Sequence, residues 1–239
     1  MKKYFATLFC VAFFVIPCFG FSYQNQEHQH RDTGRNQYED REKRYEARMY
    51  WQMPLRVMDE LDIREGMSVA DVGAGIGYFT LKLSKRVGKT GKVFASDIDK
   101  DALAFLDERR REAGLDNIVI IHGRADDPLV PEESADLILI VNTIHLVKEK
   151  ALFLNNIRKS LKEGGKVVFV QWDAEKMDSE LPGWDPKDRE LYTMNTMLNM
   201  IYDADYEVLE IKDFLPMQTI YICRPSGVME QQIIPDSAK

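Results

Sequence analysis

Cysteine is scarce in this chain. Its 239 residues include three, and two of them, Cys10 and Cys18, fall within the first twenty positions. If that segment is removed, Cys223 alone remains, so no intramolecular disulfide can form and the fold must rest on its core. No Cys/His cluster has the spacing of metal ligands, and the pair His28 and His30 stands without further ligands nearby, so no metal is expected. A Gly-x-Ser-x-Gly nucleophile elbow is missing, as is the Gly-Lys-Ser/Thr ending of a phosphate-cradling loop. Positive charge is not in excess either. The formal net charge is −7 and becomes more negative when Lys2 and Lys3 are set aside with the first twenty residues. That balance excludes a general nucleic-acid binder, whose phosphate contacts need a basic face, and it suits an anionic membrane surface poorly. No internal repeat is visible.

What is present begins with an unusual N-terminus. Lys2 and Lys3 precede an uncharged apolar run from Tyr4 to Phe19 that ends in Pro17, Cys18, Phe19 and Gly20. A basic start, a short apolar stretch and a small residue at the end describe a secretory signal peptide, with cleavage after Gly20. The expected location is therefore periplasmic or extracellular. The alternative is an uncleaved membrane anchor through residues 4–19, which Pro17 disfavours as a continuous helix. Residues 21–40 are rich in Gln, Asn, Arg, Glu and His and read as a flexible linker. Residues 41–225 read as one domain, and 226–239 as a C-terminal tail.

From Asp40 to Leu61 the pattern is helical, with Pro54 placed as a first helical residue and Leu55, Val57, Met58 and Leu61 on an apolar side. Strands and helices then alternate. The runs Val69–Val72, Val93–Ala95, Ile118–Ile121, Leu137–Val141 and Val167–Val170 are continuously apolar, which marks strands buried on both faces. Between them, Asp99 caps a helix carrying Leu103, Leu106 and Ala113 that Gly114 stops. Another helix carries Leu154, Ile157 and Leu161 and stops at Gly164–Gly165. A further helix opens at Asp185–Pro186, with Leu191, Met194, Leu198 and Ile201 on one side. Two last strands, near Glu207–Ile211 and Gln218–Cys223, are close enough to form a hairpin. Alternating βα units predict an α/β fold with a doubly wound, mostly parallel sheet that ends in an antiparallel hairpin.

The most informative stretch is Val69-Ala70-Asp71-Val72-Gly73-Ala74-Gly75-Ile76-Gly77-Tyr78-Phe79-Thr80. A buried strand runs into three alternating glycines and then a helix. Glycine permits positive φ and lets a ligand approach the backbone with no Cβ in the way, and a helix start offers free N–H groups. A dinucleotide fingerprint would need glycine where Tyr78 stands. The acid at Asp71 suits a cation, such as the amino group of a methionine moiety, and would be out of place beside a pyrophosphate. About twenty residues past the loop, Asp97 ends the second strand, where an acid receives ribose hydroxyls in nucleotide-binding βαβ units.

At these residues the sequence resembles the class I S-adenosylmethionine-dependent methyltransferases, of the type 11 or UbiE-like small-molecule group. The resemblance runs from about Trp51 to Trp172 and more loosely to Arg224. Asp71 to Gly77 resembles the family's first motif, Asp97 its ribose-binding acid and Ile98 the residue that packs on adenine. Ala135 to His145 is similar to the fourth-strand motif, and Leu161 to Phe169 to the entrance of the fifth strand, with Glu163 in place of proline. The resemblance implies seven strands, S-adenosyl-L-methionine as cofactor, and a site built from Asp71, Gly73, Ala74, Gly75, Gly77, Tyr78, Asp97, Ile98, Ala125, Asp126 and Asn142. It departs from the family at Arg124, which stands where an acid is expected to meet the adenine amino group. Either Asp126 takes over that contact or it does not exist.

Methyl transfer from a sulfonium is an in-line displacement in which the protein chiefly aligns the reactants and excludes water. His145, just past the fourth strand, is the expected base if one is needed, and otherwise a pocket wall. Asn142 is placed to face the methionine part. Tyr45, Tyr50 and Trp51 either form an aromatic lid or pack the N-terminal helix, His122 reads as structural, and Met194, Met197 and Met200 as core or pocket lining. The expected activity is transfer of a methyl group to a small-molecule acceptor, with no nucleic-acid partner and no membrane insertion of the mature domain. The competing reading is an exported domain that binds S-adenosylmethionine or a related nucleoside without catalysis, favoured by Arg124 and the export signal. A nicotinamide-dependent oxidoreductase is disfavoured by Tyr78 and Asp71. The sequence assigns neither the acceptor nor the oligomeric state.

Overall fold

The computed structural model describes residues 36–176 and 193–227. The compact domain begins at Tyr38. In order, its elements are α1 (Tyr45–Gln52), α2 (Pro54–Glu60), β1 (Ser68–Val72), α3 (Thr80–Val87), β2 (Lys92–Asp97), α4 (Lys100–Glu112), β3 (Ile118–His122) and β4 (Ala135–Val141). After a short 3-10 turn at Ile144–Leu146 come α5 (Lys150–Ser160), β5 (Leu161–Trp172), α6 (Met194–Asp203), β6 (Tyr206–Lys212) and β7 (Gln218–Pro225). The strands form one seven-stranded sheet in the order β3-β2-β1-β4-β5-β7-β6. β1 to β5 pair in parallel, and β7 runs antiparallel to both β5 and β6. The expected parallel sheet and closing hairpin are both present. The strand order reverses between β1 and β4, which opens a crevice at their carboxyl ends.

The continuous apolar strands serve two cores at once, because successive side chains leave opposite faces. Leu137 and Leu139 point into a core with Val57, Met58, Leu83 and Leu106. Ile138 and Ile140 point into the other, with Phe153, Leu154, Ile157, Met197 and Ile201. All of these side chains are buried. Truncating one such Leu or Ile to Ala costs about 2–5 kcal/mol, so the sheet is a stiff platform for whatever its carboxyl edge carries.

Local signals set the helix ends. Asp99 sits extended before α4, and its carboxylate accepts from the N–H groups of Asp101 and Ala102, each at 3.0 Å. Arg109, Arg110 and Arg111 occupy the last turn, where cations suit the helix dipole. Pro54 stands at the start of α2 as expected.

Three expectations need correction. Residues 36–40, read as linker, are helical, and Tyr38 is buried. The helical stretch read up to Leu61 consists of residues 36–43, α1 and α2, with Met53 in the left-handed region (φ 41°) just before Pro54. Leu55 turns outward, half exposed, off the apolar side assigned to it. Finally, α5 stops at Ser160 rather than at Gly164–Gly165, and Leu161 already belongs to β5. The cause is the pairing of Leu161 with Ala135, followed by a register shift before Leu137 pairs with Lys166. The signal segment, most of the linker including His28 and His30, the helix start at Asp185–Pro186, and residues 228–239 lie outside the described residues. Within them, α6 begins at Met194, capped by Thr193, whose hydroxyl accepts from the Thr196 N–H at 3.2 Å. Met197 is fully buried and Met194 and Met200 pack against the same core, so these methionines are packing residues.

Candidate cofactor and acceptor site

The glycine loop leaves β1 with Gly73, Gly75 and Gly77 all at positive φ (80°, 53° and 86°). Each glycine answers a different need. A Cβ on Gly73 would lie 2.1 Å from the Thr143 hydroxyl, and one on Gly77 would lie 2.3 Å from a Leu106 methyl carbon. Those two glycines allow neighbouring segments to close on the loop. A Cβ on Gly75 would meet nothing within 4 Å. Gly75 therefore faces open space.

The loop is tied to the end of β2. The N–H groups of Gly73 and Ala74 donate to the Ser96 carbonyl at 2.8 and 3.1 Å. The Gly75 N–H donates to Oδ2 of Asp97 at 2.7 Å, and the Asp99 N–H donates to Oδ1 of Asp97 at 2.9 Å. Ile98, next in sequence, is 62% exposed, although it is a large aliphatic residue in a sheet-edge turn. Gly75, Asp97 and Ile98 thus stand together at the opening. Ala74 buries its methyl in the core and offers the opening little.

Asp71 lies beneath the loop, fully buried, and accepts the Thr80 hydroxyl at 2.6 Å. Burial raises its pKa to about 6, helped by the nearby Asp97 charge and opposed by the Thr80 hydrogen bonds and by Arg48. Tyr78 does not face solvent: its ring is buried, and its hydroxyl has no hydrogen-bond partner among the described residues. Two cations cover that ring, the Arg48 guanidinium 4.1 Å and the Lys82 ammonium 3.9 Å from its centroid. Burial lowers the Lys82 pKa to about 8, with the Arg109 and Arg48 charges adding to the effect.

The residues considered for an aromatic lid mostly pack. Tyr45 meets Tyr78 edge-on at 4.5 Å between centroids, and Trp51 lies 4.9 Å from Trp172. Tyr50 is 82% exposed. The structure also brings the N-terminal residues to the site: the Tyr38 hydroxyl donates to both oxygens of Asp99, at 3.1 and 2.9 Å, and Glu42 pairs with Arg109 at 2.8 Å.

After β3, Arg124 is exposed and pairs with Asp127 at 3.0 Å, while its Nε lies 3.9 Å from Asp126. The Asp126 carbonyl accepts from the Asn156 amide at 3.0 Å, and Ala125 is exposed beside it. His122 contacts the Ile98 carbonyl at 3.2 Å.

The expected residues after β4 sit in a polar cluster that sequence patterning missed. Asn142 adopts φ 51° and its Oδ1 accepts from Nε2 of Gln218 at 2.8 Å. The Gln218 Oε1 accepts from Nε2 of Gln52 at 3.0 Å. His145 lies in the following 3-10 turn, its Nδ1 3.1 Å from Nε2 of Gln171, and the Gln171 Oε1 is buried without a partner among the described residues. One signal was available in the sequence: a glutamine directly after Val167–Val170 puts an amide where the pattern asks for an apolar side chain. Nothing comparable marked Gln52 or Gln218. Cys223 is buried and its thiol is pushed up to about 12 by burial, which leaves it inert. No group of residues able to hold a metal occurs among the described residues, nor any helix long and apolar enough to cross a membrane.

This geometry can be set beside known proteins. A demethylmenaquinone methyltransferase of Staphylococcus aureus strain MRSA252 is 32% identical over 127 residues, covering 53% of this chain and 51% of that protein. The chain thus spans about half the length of the curated relatives it matches. The crystal structure of a SAM dependent methyltransferase from Aquifex aeolicus superposes with a TM-score of 0.68 at 25% identity, covering 74% of this chain and 92% of the other. The cyclase SpnF superposes with a TM-score of 0.61 at 15% identity, covering 74% and 82%, a likeness of fold alone. Residues 63–220 match the methyltransferase domain family, and this chain is therefore a member of it, of the class I S-adenosylmethionine-dependent type.

Proposed function

We propose that the domain transfers a methyl group from S-adenosylmethionine to a small, largely apolar acceptor. The observation that carries the reading is the opening where Gly75 presents bare backbone beside Asp97 and Ile98. A ribose suits the Asp97 carboxylate, an adenine face suits the exposed Ile98, and Asp71 lies beneath the loop for an ammonium group. S-adenosylmethionine supplies an electrophilic methyl carbon on a sulfonium. The chain's own residues hold the nucleoside, align the acceptor and exclude water. His145 is the candidate to take the proton that the acceptor gives up as its new bond to the methyl carbon forms and the sulfonium–methyl bond breaks; its Nε2 can accept that proton once the Gln171 amide turns its oxygen to accept from Nδ1–H.

Relatives named as demethylmenaquinone methyltransferases point to a quinone-like acceptor. Exposed Tyr50 and Leu146, neighbours in sequence of Trp51 and His145, support an apolar one. Residues 1–20 would direct the domain out of the cytosol, and the mature chain would begin near Phe21. Incubation with S-adenosylmethionine labelled in its methyl group and reduced demethylmenaquinone should yield labelled lipid-soluble product. Binding of S-adenosylhomocysteine without any label transfer, across a panel of apolar phenols and quinols, would favour the non-catalytic reading. Arg124, which turns to Asp127 where an acid was expected, speaks for that second reading.

A further inference from the structure

Asn142 holds a backbone conformation that few residues other than glycine adopt, in the crevice where the strand order reverses. Its neighbour Thr143 closes on Gly73, so the segment forms the wall opposite the glycine loop. Which face of the Asn142 amide this wall presents is decided by chemistry that begins on another element. The Nε of Arg48 can only donate, and it donates to Gln52 at 2.8 Å, so the facing Gln52 atom is Oε1. The other Gln52 branch is then Nε2 and must donate to Oε1 of Gln218, whose Nε2 must in turn donate to Oδ1 of Asn142. Gln52 and Gln218 are fully buried, so neither amide can turn over without orphaning groups in the core.

We propose that Arg48, Gln52 and Gln218 are positioning residues that lock the Asn142 amide with its N–H donors turned away from Gln218 and toward the crevice, where they receive the carboxylate of the ligand's amino-acid end. The inference rests on the proposed use of S-adenosylmethionine. It assigns the two ends of the zwitterion to different walls: the ammonium to the side of Asp71, the carboxylate to Asn142. A reversed amide would present an oxygen to that carboxylate and repel it.

The experiment compares S-adenosylhomocysteine with its decarboxylated analogue, S-adenosyl-3-thiopropylamine, by calorimetry. The wild type should prefer the carboxylate-bearing ligand by about tenfold or more. Asn142→Asp keeps the oxygen that Gln218 binds and replaces the donors by a second oxygen. It should lose S-adenosylhomocysteine affinity by more than tenfold and hold the analogue within twofold. Gln218→Met, which removes the lock and keeps the volume, should erode the preference about fivefold; if it fails to fold, Asn142→Asp decides alone. Equal losses for both ligands, or an unchanged preference in Asn142→Asp, would overturn the proposal. If the wild type binds neither ligand, it is the cofactor reading itself that falls.

Discussion

The Gly75 N–H donates to Oδ2 of Asp97 at 2.7 Å, joining the tip of the glycine loop to the acid at the end of β2. One carboxylate therefore serves two purposes. It fixes the loop's open position, and it is the group proposed to receive the ribose. Asp99, two residues on, points elsewhere: it caps α4 and takes the Tyr38 hydroxyl. Hydrogen bonds to a charged group are worth about 1.5–3 kcal/mol each. Asp97→Ala should accordingly weaken S-adenosylhomocysteine binding roughly 30- to 150-fold. Asp99→Ala should lower stability by about 1–2 kcal/mol with little change in affinity. Calorimetry and urea titration on both variants make the comparison, and an Asp97→Ala variant that binds like wild type removes the ribose assignment.

The three loop glycines should fail in different ways. Gly75→Ala meets no atoms, so its cost to the fold is the strain of a left-handed alanine, about 1 kcal/mol. The new methyl stands in the ligand's path, and affinity should drop by an order of magnitude or more. Gly77→Ala drives into the buried Leu106 and should cost about 1–3 kcal/mol of stability. If Gly75→Ala lowers stability more than Gly77→Ala does, the open space at Gly75 is not real.

Asp71 gives a pH signature. Its pKa rises from 3.8 to about 6 in the folded protein, so its relative stabilisation is complete below pH 3.8 and is lost as pH rises toward 6. Across that window, wild type should lose up to about 3 kcal/mol relative to Asp71→Asn, read by urea titration at pH 4 and pH 7. Ligand binding should run the opposite way. An ammonium group favours the ionised acid, so affinity for S-adenosylhomocysteine should fall as pH drops below about 6, and Asp71→Asn should flatten that profile. A wild-type affinity that is level from pH 7 to pH 5 would place the ammonium elsewhere.

The five parallel strands were legible because each carries a continuous apolar run, the closing hairpin because its two strands lie close in sequence, and the glycine loop because its spacing has few other uses. The Asp99 cap was legible because capping is local. What escaped depends on partners far along the chain. Gln52 and Gln218 meet across 166 residues, and a glutamine at a helix end or a strand start looks like any surface amide. Tyr38 fell in a polar segment that composition marks as linker, yet one hydroxyl bonded to Asp99 and a ring 5.8 Å from Phe105 hold it to the domain. The end of α5 was misplaced for the opposite reason. Glycines at 164 and 165 read as a helix stop, but pairing of Leu161 with Ala135 ended the helix first.

His145 was legible as a position but not as a constellation. The structure places its Nδ1 3.1 Å from Gln171, a residue 1% exposed on β5. A ring held at Nδ1 by a buried amide keeps its orientation, and it can take a proton at Nε2 only in the tautomer whose Nδ1–H donates to the Gln171 oxygen. If that chemistry is proton removal from the acceptor, His145→Ala should reduce turnover by about 100-fold or more and leave S-adenosylhomocysteine affinity within twofold. His145→Gln, which fills the space without a titratable group, should be equally slow. Gln171→Leu should leave the fold intact and lower turnover, because the ring loses the amide that holds its orientation. Variants at His145 that retain turnover within threefold of wild type would reduce the residue to a wall of the acceptor site.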